Sequence, residues 1–533
     1  MLFPSILNLK SLCLKIKIIL DYNFLDKIGF FIKTLLLNKV TFNIMTEVIS
    51  SLNPITQDIV GSVPKPPIES ISDVLKKSTL AQDQWRKLRI SERSKILTRA
   101  RKNLVKRSEE FISLISEETG KPHWDSFLEV VTVVEHLKYV CSHAPFILSK
   151  ENRSSGMFLH KKAYIQYSPH GTVGVISPWN YPLILAMSPV VEALISGNTV
   201  VLKPSETTPI TGDKIRELFL ESGLPDNVFQ IVHGEGEVGS ALVHSPETQL
   251  ICFTGSVKVG RSIAVSCAKQ LKPSILELGG KDPMVVMEDA NLDRAVSAAT
   301  WGGFSNCGQT CISVERIYVM DSIADHFIDC LKKQVSMLRV SDDKNNSDLG
   351  SMVNQRQMEL VRTFVDEAKQ EGATFHLDGK NKENTCFYSP TIIETEDSSS
   401  ALMQSEIFGP VITVTRVSSE EEAIKGANST EFGLGASIFS KDLTKARRIA
   451  SQIKTGSVCI NDINTNYICA SLPFGGVGIS GIGRVHGPEG LKAFSRVQAV
   501  CEDRFGFKKE LWWFPVTKRT KKWFNIFLKF WYG

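Results

Sequence analysis

A thiol and a carboxylate that could serve one carbonyl stand 34 residues apart in this chain. Cys311 closes the run Phe304-Ser305-Asn306-Cys307-Gly308-Gln309-Thr310-Cys311, and Glu277 lies in Leu276-Glu277-Leu278-Gly279-Gly280-Lys281. A thiolate adds to a carbonyl carbon, and a carboxylate can activate the water that later releases the acyl group. A free thiol titrates near ~8.5, so the nucleophile needs a helix N-terminus or nearby donors. Gly308-Gln309-Thr310 is read here as a tight approach into a helix at Cys311. Cys307 reads as a small buried hydrophobe. Glu277 ends an apolar stretch in which a carboxylate is costly to bury without a task, the structural alternative being an ion pair with Lys281. Asn180, in Ser177-Pro178-Trp179-Asn180-Tyr181-Pro182, offers an amide donor for an oxyanion, although spacing alone favours a turn residue.

These groups need a frame. A chain of 533 residues suits two or three domains, and 42% hydrophobic with 22% charged residues is ordinary for a globular protein, which excludes disordered and fibrous classes. From Asn53 to about Gly279 short apolar strands alternate with helical stretches, the pattern of a parallel sheet with crossover helices. Tyr164-Ile165-Gln166-Tyr167, Gly171 to Ile176 and Thr199 to Leu202 read as strands, and the helix through Glu192 ends at Gly197. A second alternation runs from about Met284 to about Ile468. The fold class is therefore α/β.

The net charge of +5 is unevenly spread: residues 1–44 carry +4 and residues 505–533 carry +6, leaving the body at −5. Nucleic-acid binding by the body finds no support. Eleven scattered cysteines without a Cys-x-x-Cys pair or a histidine cluster argue against a disulfide framework or a zinc site, so no metal is expected. A reducing, cytoplasmic setting fits a working thiol.

Further segments follow in order: Leu202-Lys203-Pro204-Ser205-Glu206, Phe253-Thr254-Gly255-Ser256, Glu406-Ile407-Phe408-Gly409-Pro410 and Pro473-Phe474-Gly475-Gly476. With the Asn180, Glu277 and Cys311 segments they resemble the NAD(P)-dependent aldehyde dehydrogenase superfamily, over about Asn53 to about Arg504. The resemblance implies a Rossmann-type cofactor domain (45–150 and 169–279), a catalytic domain (280–468), and bridging or oligomerisation segments (151–168 and 469–504) that serve a homodimer or homotetramer. It also implies Cys311 as nucleophile, Glu277 as the base for the deacylating water, and Asn180 with the Cys311 amide as oxyanion donors.

For the cofactor, the same resemblance assigns Lys203 and Glu206 to the adenosine ribose and Gly236 and Gly239 to the side of the adenine. Ser256 and the helix after Gly255, reached closely past Gly260, are assigned to the pyrophosphate, and Glu406 and Phe408 to the nicotinamide end. Ile176, Ser177, Pro178, Trp179, Phe253 and Leu278 complete the set. Without the family, Gly234 to Gly239 is only a letter match to a dinucleotide fingerprint, Lys203 to Glu206 is an exposed strand end, and Ile407-Phe408 is ordinary core. A glutamate accepting from both ribose hydroxyls repels a 2′-phosphate, so NAD is expected over the alternative, NADP.

Nothing near Asn180 or Cys311 supplies a cationic anchor, and Ser188-Pro189 stands where some relatives carry Trp-Lys. The substrate expected is a medium or long aliphatic, or an aromatic, aldehyde. The rival readings are a CoA-acylating semialdehyde dehydrogenase and a catalytically silent binding or structural relative.

Both ends lie outside the resemblance. Residues 1–44 are read as an extension outside the fold, with Met45 as the working start. In the tail, Lys518, Lys522, Asn525 and Lys529 share one face of a helix whose other face carries Trp523, Phe524, Phe527 and Trp531, the composition either of a peripheral membrane contact too short to span or of a face that packs on a partner subunit or the catalytic domain.

Overall fold

A computed structural model describes residues 47–380 and 385–533. The reading of residues 1–44 lies outside the described residues.

The first sheet has six strands in the order Gly481–Ile482, Ser274–Glu277, Thr248–Thr254, Thr172–Ile176, Thr199–Lys203, Phe229–Ile231. All pair in parallel except Gly481–Ile482, which runs antiparallel to Ser274–Glu277. Chain order reverses between Thr172–Ile176 and Thr248–Thr254, the switch point of a doubly wound sheet, where a crevice opens beyond the carboxyl ends of the strands. The helix Ile184–Ile195 behind this sheet is buried at every position, so its sequence shows no amphipathic period.

Strand–helix alternation begins only at Thr172, later than the sequence reading placed it. Between Ile68 and Ile147 the chain forms four successive helices with no strand among them. In the first, Ile71, Leu75, Ser78, Gln82 and Trp85 recur at helical spacing on the buried side, a period of 3.6 that outweighs the local β-branched residues.

The second sheet has seven strands in the order Thr374–Leu377, Thr391–Glu394, Val411–Val417, Val314–Met320, Asp282–Val286, Ser437–Phe439, Cys459–Ile460. Only its first pair is antiparallel. The chain crosses from one sheet to the other through Gly279-Gly280. A side chain at Gly279 would strike the Glu406 carboxylate at 2.3 Å, and one at Gly280 the Cys311 carbonyl oxygen at 2.1 Å. Glycine is what lets this crossing pass between those two groups.

A third, antiparallel sheet pairs Ser495–Asp503 with Lys161–Pro169 and the latter with Glu151–Arg153. The tail begins on this sheet: Glu510 is buried against Lys161 and lies 3.1 Å from His160 Nε2, and Trp512 packs on Phe158 at 5.0 Å. It ends in the helix Lys518–Tyr532, which buries none of its residues.

Candidate active site

Cys311 does not open a helix, contrary to the sequence expectation. It stands in a turn between the helix Leu292–Phe304, continued by a single 3₁₀ turn at Ser305–Gly308, and the strand Val314–Met320. The approach is tight for a different reason. Asn306, Cys307 and Gly308 have φ of 51°, 55° and 68°, three successive left-handed residues that fold the chain back on itself. Such a backbone persists only where its surroundings over-determine it.

Those surroundings are a buried polar network. Asp125 Oδ2 accepts the Asn306 amide N–H at 3.0 Å, and Asn306 Nδ2 donates to the Asn180 carbonyl at 2.9 Å. The Asn180 Nδ2 donates to the Gln309 carbonyl at 3.0 Å, and Gln309 Oε1 accepts from the Val353 amide at 3.0 Å. Lys121 Nζ donates to the Asn180 carbonyl at 2.6 Å and to Glu129 Oε1 at 2.7 Å. Glu129 Oε2 in turn accepts from the Leu183 and Ile184 amides at the start of the buried helix, the place where a helix favours negative charge. Asn180 is thus fixed through both its backbone and its amide, with one amide hydrogen still to give. Cys307 takes no part in this: it is buried, its Sγ donates to the Gly350 carbonyl at 3.3 Å, and burial pushes its thiol up to about 12.

Glu277 ends the strand Ser274–Glu277, and Lys281 is not its partner, because Lys281 Nζ is 2.5 Å from Glu315 Oε2. The Glu277 side chain is buried and neither of its oxygens has a hydrogen-bond partner in the protein. Burial pushes its carboxyl well above the usual carboxylate range, opposed by Arg484 and reinforced by Glu192. A second carboxyl, the half-buried Glu406, accepts the Gly280 amide N–H at 3.1 Å and is pushed up to about 8 by desolvation and by the charge of Glu315. Phe408, at φ 54°, sets its ring edge-on to Trp179 at 5.6 Å. Cys311 is half-buried. Its surroundings and the neighbouring Glu406, Asp282 and Glu277 hold its thiol well above the ordinary value.

Three cavities meet or adjoin here. The largest, ≈ 440 Å³, lies beyond the carboxyl ends of the first sheet and is lined by Ile176, Ser177, Pro178, Trp179, Lys203, Glu206, Gly236, Gly239, Phe253, Gly255 and Ser256. A second, ≈ 290 Å³, shares Pro178, Trp179, Gly255 and Ser256 with it and continues past Leu278, Glu406 and Phe408 to Asn180, Glu277 and Cys311. Gly260 lines neither. It packs under Leu278, whose side chain a Cβ there would meet at 2.4 Å.

The third cavity, ≈ 100 Å³, reaches Cys311 from the opposite side between Leu128, Thr132, Tyr181, Ile184, Leu185, Trp301, Tyr467 and Ile468, with Asp125 and Glu129 in its wall and no Lys or Arg. Of these residues only Tyr181 falls in a quoted motif. Lys121, Asp125, Glu129, Trp301 and Tyr467 escaped the sequence reading: the first three cluster at the start of one helix away from any quoted motif, and Trp301 and Tyr467 come from two further elements.

The long cavity fits an extended dinucleotide. The helix Val257–Lys269 presents its N-terminus, with the Ser256 side chain as cap, and Gly236 opens on space free of other atoms within 4 Å. Lys203 Nζ, buried at the strand end, lies 3.3 Å from the half-exposed Glu206 carboxylate.

Residues 43–500 match the model of the aldehyde dehydrogenase family. The chain belongs to that family. It is 38% identical to a 4,4'-diapolycopene aldehyde oxidase of a Methylomonas species over 91% of both chains. It is 36% identical to a putative NADP(+) succinate-semialdehyde dehydrogenase of Mycobacterium ulcerans, over 83% of this chain and 86% of the relative. Among solved structures, the aldehyde dehydrogenase of Mycobacterium tuberculosis complexed with NAD+ superimposes with a TM-score of 0.82 at 32% identity, over 85% of this chain and 94% of that one. Membership makes this protein an oxidoreductase acting on aldehydes.

Proposed function

We propose that the protein oxidises an apolar aldehyde to its carboxylic acid, with Cys311 as nucleophile and Glu277 as the base for the hydrolytic water. The observation that carries this reading is the Glu277 carboxylate, buried without a protein partner in a cavity wall it shares with Cys311. A carboxylate kept for structure is paired, as Glu129 and Glu315 are. A raised carboxyl makes a stronger base once ionised.

In this reading the Cys311 sulfur adds to the aldehyde carbon, and the free hydrogen of the Asn180 amide, with the Cys311 backbone N–H, receives the developing oxyanion. A nicotinamide cofactor, when bound, would supply the hydride acceptor, and the oxidised acyl group would stay on Cys311 as a thioester. Glu277 then takes a proton from water as the water adds to the thioester carbonyl. Lys203 and Glu206 would hold the adenosine ribose, Gly236 and Gly239 would flank the adenine, the capped helix at Ser256 would face the pyrophosphate, and Glu406 and Phe408 would hold the nicotinamide end. The first sheet then serves as cofactor domain and the second as catalytic domain. Ser495–Asp503, paired along one edge only, would serve a homodimer or homotetramer. NAD is favoured over NADP by the negative charge of Glu206.

An apolar substrate is favoured by the third cavity, whose walls are aliphatic and aromatic. Asp125 and Glu129 there would repel an acidic aldehyde. Ranking aldehydes of graded length and charge by kcat/KM tests this, and an acidic semialdehyde ranking first would overturn it. Measuring NADH formation with and without CoA separates hydrolysis from CoA acylation; turnover that requires CoA would remove Glu277 from its role.

The tail helix adds a location. Among the described residues no helix is long and apolar enough to cross a membrane. Lys518–Tyr532 nevertheless exposes Trp523, Phe530 and Trp531 opposite Lys518, Lys522 and Lys529, which suits the headgroup region of an anionic bilayer. We read the protein as cytoplasmic and peripherally membrane-bound through this helix. Anionic liposomes should co-sediment the full chain in a salt-sensitive manner and lose a chain ending at Arg504. Equal recovery of both in the supernatant would refute the tether.

A further inference from the structure

Behind Cys311 and Glu277 lies a second group of buried ionisable side chains that the reaction above leaves unused. His136 on the helix His123–Ile147, Glu192 on Ile184–Ile195 and His486 ahead of Gly487–Ala493 are all buried. The two imidazole centroids are 4.5 Å apart, and His136 Nε2 is 3.5 Å from Glu192 Oε1. That same oxygen accepts the His486 backbone N–H at 2.8 Å. Glu192 Oε2 and the four ring nitrogens make no hydrogen bond of good geometry within the protein, although His136 lies against the Ser188 backbone and His486 against that of Tyr467. Buried polar atoms are nearly always satisfied, so five orphans in one cluster point to ordered water and to a use for it.

The cluster adjoins the reaction site. The His486 ring lies 4.6 Å from that of Tyr467, and Tyr467, Ser188 and Val485 wall a void of ≈ 10 Å³ together with Cys311 and Glu277, about the space of one water. Ser188 stands one helical turn before Glu192 on the same face, and its Oγ lies against the Tyr467 hydroxyl without a hydrogen bond of good geometry. Glu192 is close enough to Glu277 that its charge raises the Glu277 carboxyl.

We propose that His136, Glu192 and His486, reached through ordered water and the Ser188 hydroxyl, form the relay that carries the proton away from Glu277 after thioester hydrolysis. This rests on the reading of Glu277 as the hydrolytic base. In that step the water oxygen bonds to the thioester carbon, the C–S bond breaks, and Cys311 leaves with the bonding pair. One water proton passes to Glu277 and the other departs as the product acid ionises. Glu277 must lose its proton before the next turnover, and its buried carboxyl has no protein partner to take it directly.

The relay groups are poised to receive and release that proton. Burial, opposed by the His486 amide, sets Glu192 to about 8, while burial lowers both imidazoles, His136 to about 4. Glu192 is then mostly protonated at neutral pH, so it hands its own proton on toward half-buried Tyr139 and exposed Glu489 as it takes one from the Ser188 side, and the neutral imidazoles accept and donate hydrogen bonds around it. The other ionisable groups facing this region are Tyr139, Cys252, Tyr467 and Glu489, with Arg484 on Glu277; Tyr139, Cys252 and Tyr467 are held neutral by burial.

The test separates acylation from hydrolysis. With NAD and a long-chain aldehyde, stopped-flow NADH formation on Glu192→Gln, His486→Gln and Ser188→Ala should keep a burst of wild-type amplitude. Steady-state turnover should fall by about 10-fold or more, with acyl-enzyme accumulating on Cys311 by mass and a larger solvent isotope effect. Hydroxylamine, which cleaves a thioester without a general base, should restore turnover. A purely structural role would diminish the burst and leave hydroxylamine without effect. Ser188→Ala removes one hydroxyl and leaves the cluster packed, so failure of a histidine variant to fold would not shelter the idea. Wild-type kcat and pH profile in Ser188→Ala and Glu192→Gln would overturn the relay. Absence of NADH formation by the wild type, or its dependence on CoA, would instead strike the reading of Glu277.

Discussion

The two cavities that meet at Cys311 are assembled in opposite ways. The cofactor side is built from the carboxyl ends of consecutive parallel strands: Ile176, Lys203 and Phe253-Thr254 end three of them, and Glu277 ends a fourth. Each strand delivers its last residue and the following turn to one crevice, so a local run of sequence becomes a local patch of wall. The substrate side is built from helix faces: Asp125, Leu128, Glu129 and Thr132 of His123–Ile147, Ile184 and Leu185 of Ile184–Ile195, Trp301 of Leu292–Phe304, and Tyr467 and Ile468 of the short helix Thr465–Ile468. One side is fixed by the fold and the other is free to vary with what it must admit.

The largest expected effect lies where the two sides join. Cys311→Ala should abolish dehydrogenase activity, by ~10⁴-fold or more, while Cys307→Ala, removing a thiol locked on the Gly350 carbonyl, should cost no more than a few-fold. Glu277→Gln should release about one equivalent of NADH and then stall. Because the Cys311 thiol is held high, its alkylation by iodoacetamide in the free enzyme should keep accelerating as pH rises past the ordinary thiol range near ~8.5. Alkylation already at its plateau near neutrality would mean that the resting thiol is ionised, against the burial found here.

Asn180→Ala comes next. Loss of one oxyanion donor costs about 3 kcal/mol, or ~100-fold in kcat. The substitution also removes the amide that holds the Gln309 carbonyl. Asn180→Asp keeps the shape but, ionised, donates neither to the oxyanion nor to the Gln309 carbonyl and adds a repelling charge, so its rapid-quench acylation rate should fall below that of Asn180→Ala if stabilising the oxyanion is what matters.

The same contrast explains what the sequence made legible. The doubly wound sheet, the strands around Ile176 and Lys203, and the place of Glu277, Cys311 and Asn180 follow from contiguous motifs whose backbone geometry is local. The four-helix run from Ile68 to Ile147 was taken for alternating structure because helix and strand compete evenly in short apolar runs, and tertiary packing decides between them. The left-handed turn at Asn306 and Cys307 was illegible, since neither residue type demands a positive φ. Its stability comes from Asp125, far away in the chain. The Lys281 partner, Glu315, was hidden because an ion pair between separate elements leaves no spacing to read, and the Lys121–Glu129 pair because it spans a helix start and lacks the i,i+3 or i,i+4 spacing of a helical pair.

On the substrate side the effects should be smaller and selective. Trp301 sits at the rim of the apolar cavity, about 38% exposed. Trp301→Ala should lower kcat/KM for a long-chain aldehyde by roughly 10-fold and for a two-carbon aldehyde hardly at all, since burial of a few methylenes is worth about 1–3 kcal/mol. The KM for NAD should not move. A uniform loss across chain lengths would mean that the residue supports the Cys311 turn rather than the substrate.

The smallest effect tests the side taken as fixed. Glu206 is half-exposed at the crevice rim and paired with buried Lys203, so its charge acts in a solvated setting, where a like-charge contact is worth only a fraction of its value in a dry interior. Glu206→Gln should narrow the preference for NAD over NADP by a few-fold, chiefly through KM for NADP, and more at low ionic strength than at high. Lys203 remains in either case as a cation able to meet a 2′-phosphate, so the substitution removes repulsion without removing attraction. Wild-type preference for NADP, or a Glu206→Gln ratio that does not shift with salt, would show that Lys203 rather than Glu206 governs cofactor choice. The cofactor wall would then be tuned by the strand end itself, and the division between a fixed side and a variable side would fail at this residue.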